Sequence, residues 1–285
     1  MKQKSYTRVT LALDIKGRIE SGGFTGYHDM NILKHQVTLF DEVCVEPGSG
    51  IRVRCDAEGV PEDSGNICFK AAELLKQRYS VEKGCSITIE KSIPVKGGLA
   101  GGSANAAAVF QMLNTLWELN LSREELVQVS RPLGMDIPFY FYGGTLLDTE
   151  ATGKIWRINT DLCFDFIIVI PGFGVSTADA YKGIDYGSIN RMKRDTLELE
   201  DALELGDRER AVQLFHNDFE QSVFKVYPGV SQIKDQLIKL GCLNAVMTGS
   251  GSAVIGVAKD MDHAEWVKSR INESAVCVSS LERSV

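Results

Sequence analysis

The chain has 285 residues, of which 44% are hydrophobic and 24% are charged, and its formal net charge is −7. This length and composition support a large hydrophobic core and predict two domains. The negative charge argues against a nucleic-acid-binding surface, although a phosphorylated substrate would still require local cations.

The sequence contains no predicted secretory signal or membrane span. Its longest apolar run, Phe164 to Pro171, is interrupted by Asp165 and has the length of a strand rather than the roughly 20 residues that a bilayer requires. Seven cysteines are scattered without a Cys-x-x-Cys pair, so neither a zinc ribbon nor a disulfide framework is favoured. We therefore expect a cytoplasmic protein that binds neither a membrane nor nucleic acid. No oligomeric state can be predicted.

Helices and strands alternate in the first half of the chain. Apolar and polar residues alternate at 51–54 and at 86–90, which predicts two half-buried strands. Apolar residues recur at helical spacing from 67 to 75 and from 106 to 117, which predicts a helix at each place. Because these elements interleave along the chain, we expect them to share one domain.

A capping box opens the next predicted helix. Ser122 and Glu125 have the required types and spacing, and Pro132 and Gly134 are expected to end the helix. Asp136 would then lie on the turn that follows, where rigid neighbours would hold it in place.

The second half of the chain is also predicted to mix strands and helices. A buried strand is expected at 166–170, and Gly241 is expected to cap the last of the following helices at its C-terminus. Those helices are predicted near 197–205, 208–224 and 229–240. Strands at 245–247 and 253–257 would be joined by the tight connection at 248–252.

A glycine-rich loop before the helix at 106–117 carries the strongest functional signal. Its residues are Gly97, Gly98, Leu99, Ala100, Gly101 and Gly102, followed by Ser103 and Asn105. Four glycines let backbone N–H groups converge, and the first helical turn adds unpaired N–H groups that favour an anion. Ser103 or Asn105 is available to cap that turn. A flexible turn before an ordinary helix is the alternative, but two Gly-Gly pairs favour a phosphate site.

This loop is neither a P-loop nor a dinucleotide fingerprint, because it lacks the lysine of the first and the glycine spacing of the second. The run Pro-x-x-Gly-Gly-Leu-x-Gly-Gly-Ser-x-Asn-Ala-Ala, from Pro94 to Ala107, resembles the phosphate loop of the GHMP kinases. Other segments resemble that family in the same order along the chain: 11–18, 26–28, 39–41, 63–66, 133–140, 217–220, 227–228 and 247–252.

The resemblance implies the family's α/β (α+β) fold, with two lobes and the active site in the cleft between them. Residues 1–155 would form the ATP-binding lobe, and residues 156–285 the C-terminal lobe. ATP would be the phosphoryl donor and Mg²⁺ the cofactor, although no residue can be assigned as a metal ligand. The likeness is greatest to the kinases that phosphorylate the 2-hydroxyl of a cytidylylated methylerythritol in non-mevalonate isoprenoid synthesis. The expected partner is therefore a small molecule, a polyol linked to cytidine diphosphate.

The resemblance also implies two catalytic residues. Asp136, in a Gly-x-Asp-x-Pro-Phe motif, would orient the acceptor hydroxyl and accept its proton; locally, it could instead cap the turn before Pro138. Arg8 stands where the family has a lysine, and Thr10, expected beside the substrate, stands where the family has an asparagine. Arginine keeps the charge, but its planar fork does not reproduce an ammonium group.

Further residues are implied at the two substrates. Asn66 and Lys91 would line the nucleotide pocket, although they could equally be a helix cap and a solvated strand end. Tyr27 and His28 would contact the cytosine base, where a half-buried turn is the alternative.

Contacts from the second lobe are also implied. Thr177 and Tyr181 are candidate substrate contacts, and Gly249, Ser250 and Gly251 would form a structural loop that closes the site, or simply a hairpin turn.

Three functions remain open. The first is the cytidylylated-polyol kinase, and the second is a GHMP-type kinase with another acceptor. The third is a nucleotide-binding homologue whose catalysis is impaired by Arg8. Two other departures from the family affect the substrate edge and the phosphate loop: extra residues between 17 and 26, and Ala104 in place of a second serine.

Overall fold

The computed structural model of the protein describes residues 1–21, 25, 28–95, 97–149, 154–186 and 195–281. The chain divides into two compact units, each built from several segments. The first unit comprises Met1–Thr7, Leu39–Val95 and Ala100–Gly143. The second unit comprises Arg8–Thr38, Lys96–Leu99 and Gly144–Val285.

Strands and helices alternate through most of the described chain. The strands are β1 (Lys2–Arg18), β2 (His28–Gly48), β3 (Ile51–Cys55), β4 (Gly84–Glu90), β5 (Thr145–Asp148), β6 (Ile155–Arg157), β7 (Asp165–Ile170), β8 (His216–Asn217), β9 (Asn244–Met247), β10 (Val254–Val257) and β11 (Ser274–Ser279). The helices are α1 (Ile67–Tyr79), α2 (Gly101–Leu116), α3 (Arg123–Ser130), α4 (Phe139–Tyr142), α5 (Thr177–Lys182), α6 (Thr196–Glu204), α7 (Arg208–Leu214), α8 (Glu220–Val226), α9 (Pro228–Lys239) and α10 (Met261–Lys268).

The first unit places α1 and α2 against a sheet with the order β3-β4-β2-β1. β3 pairs with β4 in parallel, and β4 pairs with β2 in the antiparallel direction. The inward residues of these strands, including Val43, Val45 and Ile87, join Leu75 and Phe110 from the two helices in one buried core. Burial of these apolar side chains is the main force that holds the helices on the sheet.

The second unit contains an antiparallel sheet with the order β11-β7-β10-β9. The register pairs Ile168 with Ile255, and α9 and α10 pack against the sheet. In the same unit β1 pairs with β8 in parallel, and β2 pairs with β5. The mixed α and β elements agree with the predicted fold class. No helix in the described part of the chain is long and apolar enough to cross a membrane.

Most predicted elements are confirmed, but the predicted helix at 208–224 is wrong. The structure has α7, the short strand β8 and then α8 in its place. The interruption occurs at His216 and Asn217, whose backbone pairs with Ala12 and Leu13 of β1. Apolar spacing favours a helix here, but this long-range pairing overrides local propensity.

A buried ion pair holds β8 against β1. His216 Nε2 lies 2.5 Å from Asp14 Oδ1, and the backbone N–H and hydroxyl of Thr196 donate to Asp14 Oδ2 at 2.9 and 2.5 Å. Burial alone would favour the neutral forms, but these hydrogen bonds and the opposite charges lower the pKa of Asp14 and raise the pKa of His216. Both shifts favour the charged forms of the pair, which fixes the point where the predicted helix breaks.

A second buried histidine links three segments of the second unit. His35 is fully enclosed, with Nδ1 at 2.8 Å from Thr145 Oγ1 and Nε2 at 2.7 Å from Ser280 Oγ. Burial lowers the pKa of His35 to about 4. The ring is therefore neutral in the folded protein under all but acidic conditions.

We expect His35 to make the fold sensitive to acid. In the unfolded chain this histidine has a pKa of about 6.5 and binds a proton as the pH falls below that value. In the folded chain it does not bind the proton until about pH 4. Stability should therefore fall as the pH falls from about 6.5 to 4, and this residue should contribute a loss of about 2 kcal/mol between pH 7 and 4.5. Urea unfolding of the wild type and His35→Asn at both pH values tests this, since equal losses in the two proteins would contradict it.

Candidate active site

The glycine-rich loop enters α2 through a left-handed residue. Ala100 has φ +53° and precedes Gly101, the first residue of the helix. No described side chain caps the first turn, so the prediction that Ser103 or Asn105 caps it is wrong. Both residues lie inside the helix rather than before it, and Asn105 instead donates to Asp41 at 3.0 Å. Uncapped N–H groups at the positive end of a helix dipole favour an anion.

Gly98 packs directly against the second glycine loop. It has φ +74°, and a Cβ at this position would lie 2.7 Å from the carbonyl oxygen of Thr248 and 2.9 Å from that of Gly251. A Cβ on Gly249 would similarly lie 3.0 Å from the carbonyl oxygen of Gly98. The backbones of the two loops therefore approach more closely than any side chain would allow.

Two residues of β1 bind these loops. Arg8 is 5% exposed, and its Nη1 donates to the carbonyl oxygen of Gly98 at 2.9 Å. The backbone N–H of Thr10 donates to Thr248 Oγ1 at 2.9 Å, and the Thr10 side chain is fully buried. Arg8 therefore holds the phosphate loop in position, and Thr10 holds the second glycine loop.

Asn217 completes the support of the second loop and was missed in the sequence analysis as a functional residue. Its Nδ2 donates to the carbonyl oxygens of Met247 at 2.7 Å and Gly249 at 2.8 Å, while its Oδ1 accepts from the N–H of Phe219 at 3.0 Å. Asn217 is buried. The sequence contained one signal for it: Asn217 is an amide within an apolar helical pattern, and asparagine does not favour the interior of a helix.

An open pocket of about 570 Å³ lies beside the two loops in the second unit. It is lined by Gly98, Gly174, Val175, Ser176, Thr177, Ser250 and Gly251. The hydroxyls of Thr177 and Ser250 lie 3.1 Å apart. The pocket thus brings together residues from three predicted groups: the phosphate loop, the structural loop and the substrate contacts.

In the first unit, the predicted nucleotide residue Lys91 forms an ion pair with the fully buried Asp41. Asp41 also accepts the backbone N–H groups of Ser92 and Ile93 at 2.8 Å each, and the amide of Asn105. This carboxylate therefore fixes the strand end that precedes the phosphate loop. Its role was missed because a single aspartate in a strand pattern gives no indication of its partners.

Asn66 is the N-cap of α1. Its Oδ1 accepts from the N–H of Cys68 at 2.8 Å, and its Nδ2 donates to the carbonyl oxygen of Pro61 at 2.6 Å. Asn66 is buried, so both ends of the amide are occupied by the cap. Its expected contact with nucleotide is not visible in this arrangement and stays a prediction.

Asp136 lies on the turn between a 3-10 segment at Arg131–Leu133 and α4. Ile137 beside it is fully buried, and the hydroxyl of Tyr140 donates to the carbonyl oxygen of Ala100 at 3.3 Å. The turn is therefore anchored to the start of α2. A Cβ on Gly134 would lie 3.9 Å from Ser103 Oγ, which places Ser103 beside the same turn.

The predicted acceptor contacts form a ring cluster in the second unit. His28 stacks on Tyr181 with centroids 4.0 Å apart and planes 17° apart. His28 Nε2 lies 2.7 Å from the hydroxyl of Tyr186, a residue that the sequence analysis missed. Tyr27, predicted with His28, lies outside the described residues.

Family models and known proteins that resemble this chain point to a single family. The model of the GHMP kinases N terminal domain matches residues 66–144, and that of the GHMP kinases C terminal domain matches residues 199–277. The chain is 37% identical to "4-diphosphocytidyl-2-C-methyl-D-erythritol kinase" of Acetivibrio thermocellus, covering 92% of this chain and 91% of that protein. It is 33% identical to a protein of the same name from Clostridium botulinum, covering 98% of each.

Solved structures of kinases also resemble this chain. A crystal structure of 4-(cytidine 5'-diphospho)-2C-methyl-D-erythritol kinase has a TM-score of 0.81 and 25% identity, covering 99% of this chain and 100% of that one. The L. major mevalonate kinase, at 17% identity and a TM-score of 0.75, covers 100% of this chain and 97% of that one, and shows the fold alone. These matches confirm the predicted fold class and a two-domain architecture.

Proposed function

The chain belongs to the GHMP kinase family and is an ATP-dependent small-molecule kinase, and we propose that its acceptor is 4-diphosphocytidyl-2-C-methyl-D-erythritol. The product would be the 2-phosphate, an intermediate of non-mevalonate isoprenoid synthesis. The observation that carries this proposal is the pocket that groups Gly98 with Thr177 and Ser250. It supplies hydroxyl and backbone donors beside the phosphate loop. Relatives named for this acceptor match almost the whole chain.

Phosphoryl transfer requires positioning and charge neutralisation more than covalent chemistry. The uncapped N–H groups at the start of α2 fit the phosphates of ATP. Asp136 orients the acceptor hydroxyl and accepts its proton, and Arg8 holds the loop and offsets negative charge. Thr177 and Tyr181 contact the acceptor, and Thr10, whose side chain is fully buried, lies beside it.

Mg²⁺ is part of this proposal. No group of three or more His, Cys, Asp or Glu side chains among the described residues is arranged to hold a metal ion. In phosphoryl-transfer sites Mg²⁺ is held by substrate phosphates together with one or two protein carboxylates. When bound, it neutralises charge on the phosphates. Ser103 is the residue we place next to it.

The remaining assignments belong to the same proposal. Residues 1–155 form the ATP-binding lobe, in which Asn66 and Lys91 lie near the nucleotide, and residues 156–285 form the C-terminal lobe. Tyr27 and His28 contact the cytosine base. The enzyme acts in the cytoplasm. Gly249, Ser250 and Gly251 support the phosphate loop through backbone packing.

The proposal is tested by measuring ADP release from Mg-ATP with 4-diphosphocytidyl-2-C-methyl-D-erythritol, beside an acceptor-free blank. Homoserine and mevalonate are tested as alternative acceptors, since solved structures of a homoserine kinase and a mevalonate kinase share this fold. Cytidine diphosphate should inhibit in competition with the acceptor and not with ATP. Turnover that is faster with another acceptor, or absent inhibition by cytidine diphosphate, would overturn the assignment.

The alternative hypothesis, a nucleotide-binding homologue with impaired catalysis, rests on Arg8, because the family has a lysine at this position. The structure gives Arg8 a role, since it is buried and donates to Gly98. A hydrogen bond from a charged donor contributes about 1.5–3 kcal/mol.

We therefore expect Arg8→Lys to lower kcat/KM for ATP by about tenfold or more, measured against Arg78→Lys on the exposed face of α1. An increase in turnover on Arg8→Lys would instead favour the impaired homologue.

A further inference from the structure

Two residues outside the predicted site form a chain of contacts that ends at the ring of His28. Tyr186 places its hydroxyl 2.7 Å from His28 Nε2, and its plane lies within 3° of the imidazole plane. Arg18 Nε donates to the same hydroxyl at 3.3 Å, and the guanidinium carbon lies 5.7 Å from the Tyr186 ring centroid. A chain of hydrogen bonds thus runs from Arg18 through Tyr186 to His28.

The protons in this chain fix the tautomer of His28. The Tyr186 hydroxyl has one proton and can accept on its oxygen, where Arg18 already donates. Donation from Arg18 polarises the phenol and makes its own O–H a stronger donor. The phenol proton is therefore directed to Nε2, which accepts it, and the neutral ring carries its proton on Nδ1. In the other tautomer, His28 Nε2–H and Arg18 Nε–H would both donate to the oxygen of the Tyr186 hydroxyl. The hydroxyl proton would then have no other acceptor in the part of the chain that the structure describes.

The surroundings of His28 also favour a neutral ring. Burial lowers the pKa of His28, and the positive charge of Arg18 lowers it further. Among the described residues, Arg18 from β1, Tyr181 from α5 and Tyr186 beyond α5 are the charged and titratable groups facing the ring. Stacking on Tyr181 at 4.0 Å limits rotation of the imidazole plane, so the Nδ1 donor has a defined direction.

We infer that Arg18 and Tyr186 are positioning residues that hold His28 neutral with its proton on Nδ1, so that the ring offers an N–H donor to the substrate base. This inference rests on the proposed function, in which His28 contacts cytosine. The cytosine edge carries two adjacent acceptors, the ring N3 and the carbonyl O2. An Nδ1–H group complements either atom, whereas the opposite tautomer would present a lone pair to them.

Tyr186→Phe tests the inference because it keeps the ring and removes only the hydroxyl. In the free protein, ¹⁵N NMR of His28 should show the Nδ1–H form in the wild type and a shift toward Nε2–H in the variant. The pKa of His28 should rise in the variant, since the donor that stabilised the neutral ring is gone. KM for the cytidylylated acceptor and the Kd of cytidine diphosphate should rise about fivefold, with kcat and KM for ATP unchanged.

Two further variants make the test specific. Tyr79→Phe in α1 removes a tyrosine hydroxyl in the other unit and should leave every readout unchanged. Arg18→Gln should raise the pKa of His28 while retaining part of the Nδ1–H signal. Unchanged His28 signals in Tyr186→Phe would overturn the inference, as would a tautomer shift without weaker cytidine diphosphate binding. Failure of the proposed function is distinguishable, because it would appear as absent acceptor-dependent turnover in the wild type, whereas the NMR measurement needs no acceptor.

Discussion

Asp136→Asn should reduce kcat by about 10²- to 10⁴-fold while leaving the Kd of ATP within about twofold of the wild type. Asparagine has nearly the same shape but cannot accept the proton of the acceptor hydroxyl. Residues other than Asp136 also anchor the turn that carries it: Ile137 is buried, and the hydroxyl of Tyr140 donates to the carbonyl oxygen of Ala100. The substitution should therefore remove chemistry without displacing the phosphate loop.

The measurement combines steady-state kinetics with calorimetric titration of ATP. Asp235→Asn, on the exposed side of α9, is the matched control for loss of one negative charge and should retain full activity. A parallel loss of ATP binding and turnover in Asp136→Asn would assign the residue a structural role, such as capping the turn before Pro138.

Local sequence patterns predicted most of the fold because each acts over a few residues. The capping box at α3 is present in full: the N–H of Ser122 donates to Glu125 Oε2 at 2.8 Å, and the N–H of Glu125 donates to Ser122 Oγ at 3.2 Å. Gly241 follows Leu240, the C-cap of α9, and has φ +89°, as its predicted capping role requires. Both features depend on short-range geometry that the sequence encodes directly.

Prediction failed where long-range contacts decide the local conformation. The break between α7 and α8 depends on pairing with β1 and on the buried pair of Asp14 and His216. In sequence these partners are far apart, and the apolar spacing around them favours a continuous helix.

In the candidate site, too, local features were predicted from the sequence and long-range contacts were not. The two glycine loops were visible from their glycines, because close backbone approach requires them at Gly98 and Gly249. The side chains that hold the surrounding segments were not visible. Asp41, Asn217 and Tyr186 each act through partners distant in the chain. A sequence motif identifies the residues that contact a substrate more readily than those that position them.

Gly98 and Gly97 are expected to respond very differently to the same substitution. An alanine at position 98 would place Cβ 2.7 Å from Thr248 O and 2.9 Å from Gly251 O, in a backbone conformation with φ +74°. The two glycine loops would have to separate. A Cβ at position 97 would lie 3.8 Å from its nearest neighbours, side-chain carbons that include one from Ile170, which is ordinary contact distance.

Gly98→Ala should therefore lower kcat/KM for ATP by about 10²-fold, since a displacement of about 1 Å in a positioning element can cost that much. It should also lower the melting temperature, because alanine is strained in the left-handed region. Gly97→Ala should change kcat/KM by no more than about twofold. Kinetics, ATP titration and thermal unfolding of both variants distinguish steric packing from a general need for flexibility. Similar losses in the two variants would mean that the loop works through its mobility, and undiminished ATP affinity in Gly98→Ala would mean that contact with the second glycine loop does not shape the phosphate site.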